Sequence, residues 1–232
     1  MSLAVRLRPA PDERRSSDAA YAALKAKILD SEFAPGSQAL EQEIAVALGM
    51  SRTPVREALV RLQQEGLLEI VPRHGVRVSA LSPHDMREIY EVLMSLEPTA
   101  VELLTRRRPG RGEIACLVEA CDDMERALAK GEADLRAWAA ADELFHMNLA
   151  HLCGNRRLAA MIMTVWDQAH RARMFTLSMR PVPRQSTAEH RAVVEAILEG
   201  DADRARDLYL AHRKRGGLEL THIIERHGLQ HL

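Results

Sequence analysis

The chain has 232 residues, enough for two domains with separate cores, and 47% hydrophobic with 28% charged residues is typical of globular proteins. Its net charge of -1 at pH 7 excludes a globally basic protein, so any nucleic-acid-binding surface has to be a local patch. No apolar run approaches the ~20 residues that span a bilayer, and the N-terminus lacks a signal-peptide core, so we expect a cytoplasmic protein without membrane contact.

The first part of the chain has the pattern of a small DNA-binding domain. Residues 1–17 are polar and charged, which predicts a flexible N-terminal tail. Three short helical patterns follow from Asp18, and then two apolar runs flank the turn residues Pro72-Arg73-His74-Gly75. Three helices and a β-hairpin predict a winged helix-turn-helix over residues 18–80.

The remainder, residues 81–232, has only helical periodicity. The pattern is broken at Arg108-Pro109-Gly110, Gly131, Gly154-Asn155, residues 180–184 and Gly200, which predicts a bundle of six or seven helices. The expected fold class is therefore mainly α. The three cysteines, Cys116, Cys121 and Cys153, form no CxxC pair and predict buried thiols in a reducing cytoplasm, with a redox or metal-binding role as the alternative.

The third helix carries a basic pair at its start. If Val55, Leu59 and Leu62 face the core, then Arg52 and Arg56 lie one turn apart on an exposed side. A helix N-terminus favours phosphate, and arginine can make bidentate contacts with guanine in the major groove. Nearby hydroxyls come from Ser51, which can also cap the helix, and from Thr53. The alternative is a solvated arginine face on a structural helix.

The hairpin tip supplies a second candidate DNA contact. Arg73 and His74 lie on the tip, and Gly75 allows close backbone approach to a groove. Together with the basic pair on the third helix, these residues favour DNA binding over a purely structural helix.

The second domain contains a spaced set of metal-ligand residues. Asp142 and His146 are four residues apart and project from one helical face, while His190 and His212 belong to two later helical segments that follow one another. Three imidazoles and a carboxylate suit a divalent cation such as Zn²⁺, Ni²⁺ or Mn²⁺. Caps, core hydrogen bonds or surface histidines are the structural alternative.

These residues resemble a known family. The resemblance is to the GntR family of bacterial regulators, most strongly to its FadR-like branch, whose sensor is the FCD domain. It is carried by Pro35-Gly36, Glu41, Leu48-Gly49, the segment SRTPVREAL from Ser51 to Leu59, Gln64-Glu65-Gly66-Leu67 and Pro72-Arg73-His74-Gly75. It implies that Arg52 and Arg56 are the main base and phosphate readers, assisted by Ser51, Thr53, His74 and Gly75.

The FCD resemblance also implies a ligand set and an effector. Metal-binding members have an Asp-x-x-x-His pair, a His in a Glu-His-Arg sequence and a His near the last helix, which match Asp142, His146, His190 and His212 here. The ion would present an open coordination position to a carboxylate effector. Many members carry an arginine on the first sensor helix for that carboxylate, and this chain has Leu93 there. Arg171 and Arg173 are candidates to replace it, with solvated surface as their alternative.

The sequence thus predicts a homodimeric transcriptional regulator, a repressor by our hypothesis. Its two heads would read an inverted-repeat operator, with affinity modulated by a small-molecule effector, an organic acid being one candidate. One alternative is a regulator for which the metal ion itself is the signal. Another is a metal-dependent enzyme, against which we find no catalytic base near the ligands, no phosphate loop and no nucleophile motif, so we predict no catalytic residue.

Overall fold

The computed structural model describes residues 11–129 and 133–228, and the chain divides between Ala80 and Leu81 into two compact units. The first unit contains α1 Pro11–Leu29, β1 Gln38–Ala39, α2 Glu41–Leu48, α3 Arg52–Gln64, β2 Leu68–Val71 and β3 Gly75–Val78. The second contains α4 Pro83–Arg106, α5 Ala115–Ala129, α6 Leu135–Leu152, α7 Arg156–Phe175, a short 3₁₀ helix Leu177–Met179, α8 Arg184–Glu199 and α9 Ala202–Arg226. The predicted fold class is confirmed.

The three helices of the first unit enclose one apolar core. Leu24 and Ile28 of α1 pack with Val55, Leu59 and Leu62 of α3, all at helical spacing and all buried. Helix α1 begins at Pro11, which corrects the predicted start at Asp18: residues 11–17 belong to the helix and not to a tail. Residues 1–10 of the predicted tail lie outside the described part of the chain.

The wing is a three-stranded antiparallel sheet in the order β1-β3-β2, one strand more than the predicted hairpin. Strand β1 has two residues, too few for an alternating pattern to be visible in the sequence. Gly75 has φ +88°, and a Cβ at this position would lie 2.3 Å from the carbonyl oxygen of Ala39. The close approach of β1 to β3 therefore requires a glycine at position 75, whether or not this residue contacts DNA.

The second unit has six α-helices within residues 81–129 and 133–228, and they end at or beside the predicted breaks. The predicted break at Gly131 lies outside the described residues. Helices α4 and α9 form the most extensive helix pair, and Gly217 of α9 contacts Tyr90 of α4 so closely that a Cβ on the glycine would lie 2.6 Å from the ring. None of the helices in the described ranges combines the length and apolarity that a bilayer crossing needs.

Candidate metal and ligand site

Three histidines from three helices meet inside the second unit. His146 of α6, His190 of α8 and His212 of α9 are all buried, and one ring nitrogen of each lies within 4.8 Å of the others. The Nε2 atoms of His146 and His190 are 3.2 Å apart. Apolar neighbours on the same helices bury these faces, so the helix packing itself brings the imidazoles together.

Asp142 completes the predicted set of four. Its Oδ1 atom lies 3.7 Å from Nε2 of His146 and 3.7 Å from Nε2 of His190, and it has no hydrogen-bond partner among the described residues. Its other oxygen accepts from Arg173 of α7. Burial would raise the pKa of Asp142, but Arg173 and His146 hold it well below its usual value. A buried carboxylate oxygen therefore faces two imidazoles.

The imidazoles are in the protonation state that metal ligands need. Burial lowers the pKa of His146 and of His190 well below the usual value, and neighbouring charges, first those of Arg213 and His212 respectively, lower it further. The pKa of His212 is also lowered by burial. The neutral rings can each offer a lone pair to a cation.

Outer contacts orient two of these rings. Nδ1 of His212 lies 2.8 Å from Oε2 of Glu189, and since a carboxylate accepts, this nitrogen donates and Nε2 keeps the free lone pair. Nδ1 of His146 lies 2.6 Å from the hydroxyl of Tyr209 and 3.0 Å from Nη2 of Arg213. Arginine can only donate, so this nitrogen accepts in the arrangement seen.

Arg213 is itself held by a buried ion pair that was not predicted from the sequence. Its guanidinium donates to both carboxylate oxygens of Glu97 on α4, one of these bonds being 2.6 Å, and both residues are at most 2% exposed. Burial lowers the pKa of Arg213, but Glu97 and Tyr209 raise it above the usual value, so it stays protonated. Glu97, Tyr209 and Arg213 form a polar layer behind His146.

A cavity of about 360 Å³ opens beside the histidine cluster. His212 lines it, together with Trp138 and five arginines from α7, the following loop, α8 and α9; these are Arg173, Arg180, Arg184, Arg213 and Arg215. The cavity therefore reaches the histidine cluster at His212, and its polar lining is mainly cationic. The volume is within the range of small-molecule pockets.

The two arginines predicted to bind an effector differ in position. Arg173 lines the cavity, bonds Asp142 and is only 11% exposed in its side chain, with Nη1 buried and without a partner among the described residues. Arg171 is 1% exposed and is not among the residues that line this cavity. Solvated surface, the alternative for both, is wrong. Both arginines lie on the part of α7 that faces the interior of the unit. Burial lowers the pKa of Arg171 to about 10.

In the first unit the predicted DNA-contacting residues are exposed at the start of α3 and on the β2–β3 turn, except for Gly75, which is half-buried at the start of β3. Arg52, with 66% of its side chain exposed, lies 3.9 Å from Glu41 and shares an open groove with Thr53 and Arg56. Ser51 is the N-cap residue of α3, but its side chain makes no capping hydrogen bond, which corrects the predicted side-chain cap. Arg73, with φ +67°, and His74 are exposed at the turn.

A winged helix-turn-helix followed by a helical unit with a buried histidine cluster is typical of a class of one-chain transcriptional regulators. Residues 16–78 match the family of bacterial regulatory proteins named gntR, and residues 88–215 match the FCD domain. The chain belongs to the GntR family and carries an FCD domain. It is a DNA-binding transcriptional regulator, and its family and relatives are regulators rather than enzymes.

Individual relatives agree with this assignment. An HTH-type transcriptional regulator from the TAR-I ttuE-ttuC' intergenic region of Agrobacterium vitis is 48% identical over 56% of this chain and 77% of its own length. The HTH-type transcriptional repressor GlaR of Escherichia coli is 26% identical over 83% of this chain and 90% of its own. The structure of E. coli McbR/YncC has the same fold, with a TM-score of 0.76, 22% identity and coverage of 88% and 96%.

Proposed function

We propose that this protein is a homodimeric repressor that reads an inverted-repeat operator and is controlled by an organic acid bound beside a divalent metal ion. The observation that carries the proposal is the cluster of His146, His190 and His212, with Asp142, beside a cavity rich in arginine. The repressor direction takes its support from the relative named a transcriptional repressor. Control by the metal ion alone is the second candidate, supported by the same cluster.

For the operator, we assign base and phosphate reading to Arg52 and Arg56. Their exposure at the start of α3 supports this role, as does the absence of an acid between residues 51 and 56. Ser51 and Thr53 would assist from the same turn. At the wing, Arg73, His74 and Gly75 would contact the adjacent minor groove.

The DNA test uses an operator selected from random duplexes by the wild-type protein. Arg52→Ala and Arg56→Ala should each weaken binding by ~1–3 kcal/mol, measured by fluorescence anisotropy at fixed salt. Arg126→Ala, an exposed arginine of the second unit, is the control for loss of one positive charge and should leave affinity unchanged. Unchanged affinity in both α3 variants would reject the assignment of the reading helix.

For the metal, His146, His190 and His212 would supply one nitrogen each and Asp142 its Oδ1. The free Nε2 of His212 and the unpartnered Oδ1 of Asp142 fit that role. The donor set suits Zn²⁺, Ni²⁺ or Mn²⁺. A ligating Nε2 on His146 requires its proton on Nδ1. Arg213 would then give up its hydrogen bond to this nitrogen, and the Tyr209 hydroxyl would accept the proton's hydrogen bond. The ion would supply Lewis acidity for binding an anion.

The metal test compares two histidine variants of the second unit after loading with each ion and gel filtration. His190→Ala should lose bound metal, measured by plasma mass spectrometry, while apo operator binding persists. His222→Ala, which changes an exposed histidine on α9, should keep the wild-type metal content. Full occupancy in His190→Ala would reject this ligand set.

For the effector, we assign an anion-binding role to Arg173, because its buried Nη1 has no partner in the described ranges and its neighbour Asp142 belongs to the ligand set. Arg171 receives no such role, because it lies away from the cavity lining. Chelation separates this proposal from the second candidate. If removal of the ion alone releases operator to the same extent with and without acids, the ion is the signal.

A further inference from the structure

Most cations in the cavity wall already have carboxylate partners. Arg173 bonds Asp142, and Arg213 bonds Glu97. Arg215 bonds both Glu189, at 2.6 Å, and Glu219, at 3.0 Å, and Glu219 is the acidic residue in the cavity lining. Because these three arginines are paired with carboxylates of the protein, none of them has an uncompensated positive charge with which to bind a second anionic group of an effector.

Arg180 is different from these three. It follows the 3₁₀ helix, and its Nε donates at 3.3 Å to the hydroxyl of Thr176, a neutral partner. Its Nη2 is buried and has no hydrogen-bond partner among the described residues. No carboxylate in the described ranges forms an ion pair with Arg180. The residue lines the cavity. Burying a charged donor without a partner is costly unless a ligand supplies the acceptor.

The surroundings of Arg180 increase that cost. Burial and then the neighbouring Arg173 lower the pKa of Arg180, and together they outweigh Tyr90, Glu219 and Asp142, which raise it. The guanidinium groups of Arg173 and Arg180 therefore repel each other across a partly enclosed space. Arg184, the first residue of α8 directly after this loop, is also in the lining but is exposed to solvent. The buried positive charge in excess is thus localised at Arg180.

We propose that Arg180 binds the second anionic group of the effector and selects small dicarboxylates over monocarboxylates. This rests on the proposed function, in which the first carboxylate lies beside Arg173 and the histidine cluster. A guanidinium presents parallel N–H groups that match a carboxylate. A cavity of about 360 Å³ accommodates a dicarboxylate of four or five carbons with both ends engaged.

The test is calorimetric titration of the full-length, Zn²⁺-loaded protein with two pairs of acids matched in carbon number. Succinate is paired with butyrate, and glutarate with pentanoate. In the wild type, at least one dicarboxylate should bind roughly 10- to 150-fold tighter than its matched monocarboxylate, which is the range for one charge-assisted hydrogen-bonded group. Arg180→Gln should abolish this preference while leaving monocarboxylate affinity unchanged.

Two further variants keep the result interpretable. Arg184→Gln removes an exposed cation at the start of α8, close to Arg180 in the chain, and should retain the full preference. Arg180→Lys keeps the charge without the forked geometry, so it should retain part of the preference, and it replaces Arg180→Gln if the latter fails to fold by circular dichroism.

Three outcomes overturn the proposal: equal affinity for matched acids in the wild type, a preference that survives in the Arg180 variants, or no binding of any of the four acids. The first two leave the organic-acid regulator standing, because monocarboxylate binding is still observed. The third removes the organic-acid part as well. Operator affinity and metal content are measured without any acid, so their failure is read separately.

Discussion

The buried pair of Glu97 and Arg213 permits a quantitative prediction. Glu97→Ala removes both acceptors and leaves the Arg213 guanidinium buried without its counter-charge. Breaking such a pair costs about 3–5 kcal/mol of unfolding free energy. For a unit of this size each kcal/mol lowers Tm by roughly 2–4 °C, so Tm of the second unit should fall by roughly 6–20 °C.

The assay follows from the positions of the two tryptophans in the chain, Trp138 and Trp166. Both lie in the second unit, so tryptophan fluorescence during urea or thermal unfolding reports on that unit alone. Glu91→Ala, an exposed position on the same helix, is the control and should stay within about 0.5 kcal/mol of the wild type.

The double variant Glu97→Leu with Arg213→Met makes the test specific for the charge. Replacing a whole buried pair by apolar residues is often neutral or stabilising, so the double variant should recover most of the stability lost in Glu97→Ala. A loss of less than about 1 kcal/mol in Glu97→Ala would refute the reasoning. A double variant as unstable as the single one would show that shape, rather than uncompensated charge, sets the cost.

Two further predictions concern packing and thiol chemistry. Gly217→Ala should destabilise the second unit by ~1–3 kcal/mol, because its Cβ would meet the Tyr90 ring, whereas Gly216→Ala has open space and should stabilise the unit by up to ~1 kcal/mol. Urea unfolding followed by tryptophan fluorescence measures both changes, and equal effects of the two variants would contradict the contact with Tyr90. Burial raises the pKa of Cys121 to about 12, so at pH 8 only about one Cys121 thiol in ten thousand is ionised. Iodoacetamide should therefore modify the half-buried Cys116 before Cys121 in the native protein, which peptide mass spectrometry would show. Faster labelling of Cys121 would argue against its burial.

Local periodicity predicted the parts of the site that lie within one helix. Asp142 and His146 share a face because they are four residues apart, and the structure places them on the same side of α6. His190 and His212 are on other helices, and spacing alone does not say which helices pack together. The resemblance to a family supplied that information.

The polar layer behind the ligands was missed for the same reason, although a signal was present. Glu97 lies four residues after Leu93 and four before Val101, both fully buried, so it interrupts an apolar stripe with a charge. Arg213 follows Tyr209 by four residues in the same way. A charge inside an apolar stripe indicates a buried partner, but the partner is 116 residues away and is identified only by the fold.

Charged residues on α7 and the short strand β1 show two further limits. Arginine side chains are usually exposed, which is why solvated surface was the alternative for Arg171. In the structure this residue lies on the buried face of α7, which the residue type alone does not indicate. Two residues of strand carry no periodicity, so β1 could be found only through its pairing with β3.

The pairing of α4 with α9 has a consequence for biosynthesis. The first helix of the FCD unit packs mainly on α9, so that unit can complete its core only after α9, through Arg226, has left the ribosome. The head that contacts operator is finished well over a hundred residues earlier. In a nascent chain the winged helix-turn-helix unit can therefore fold while Glu97 is still hydrated and not yet paired with Arg213.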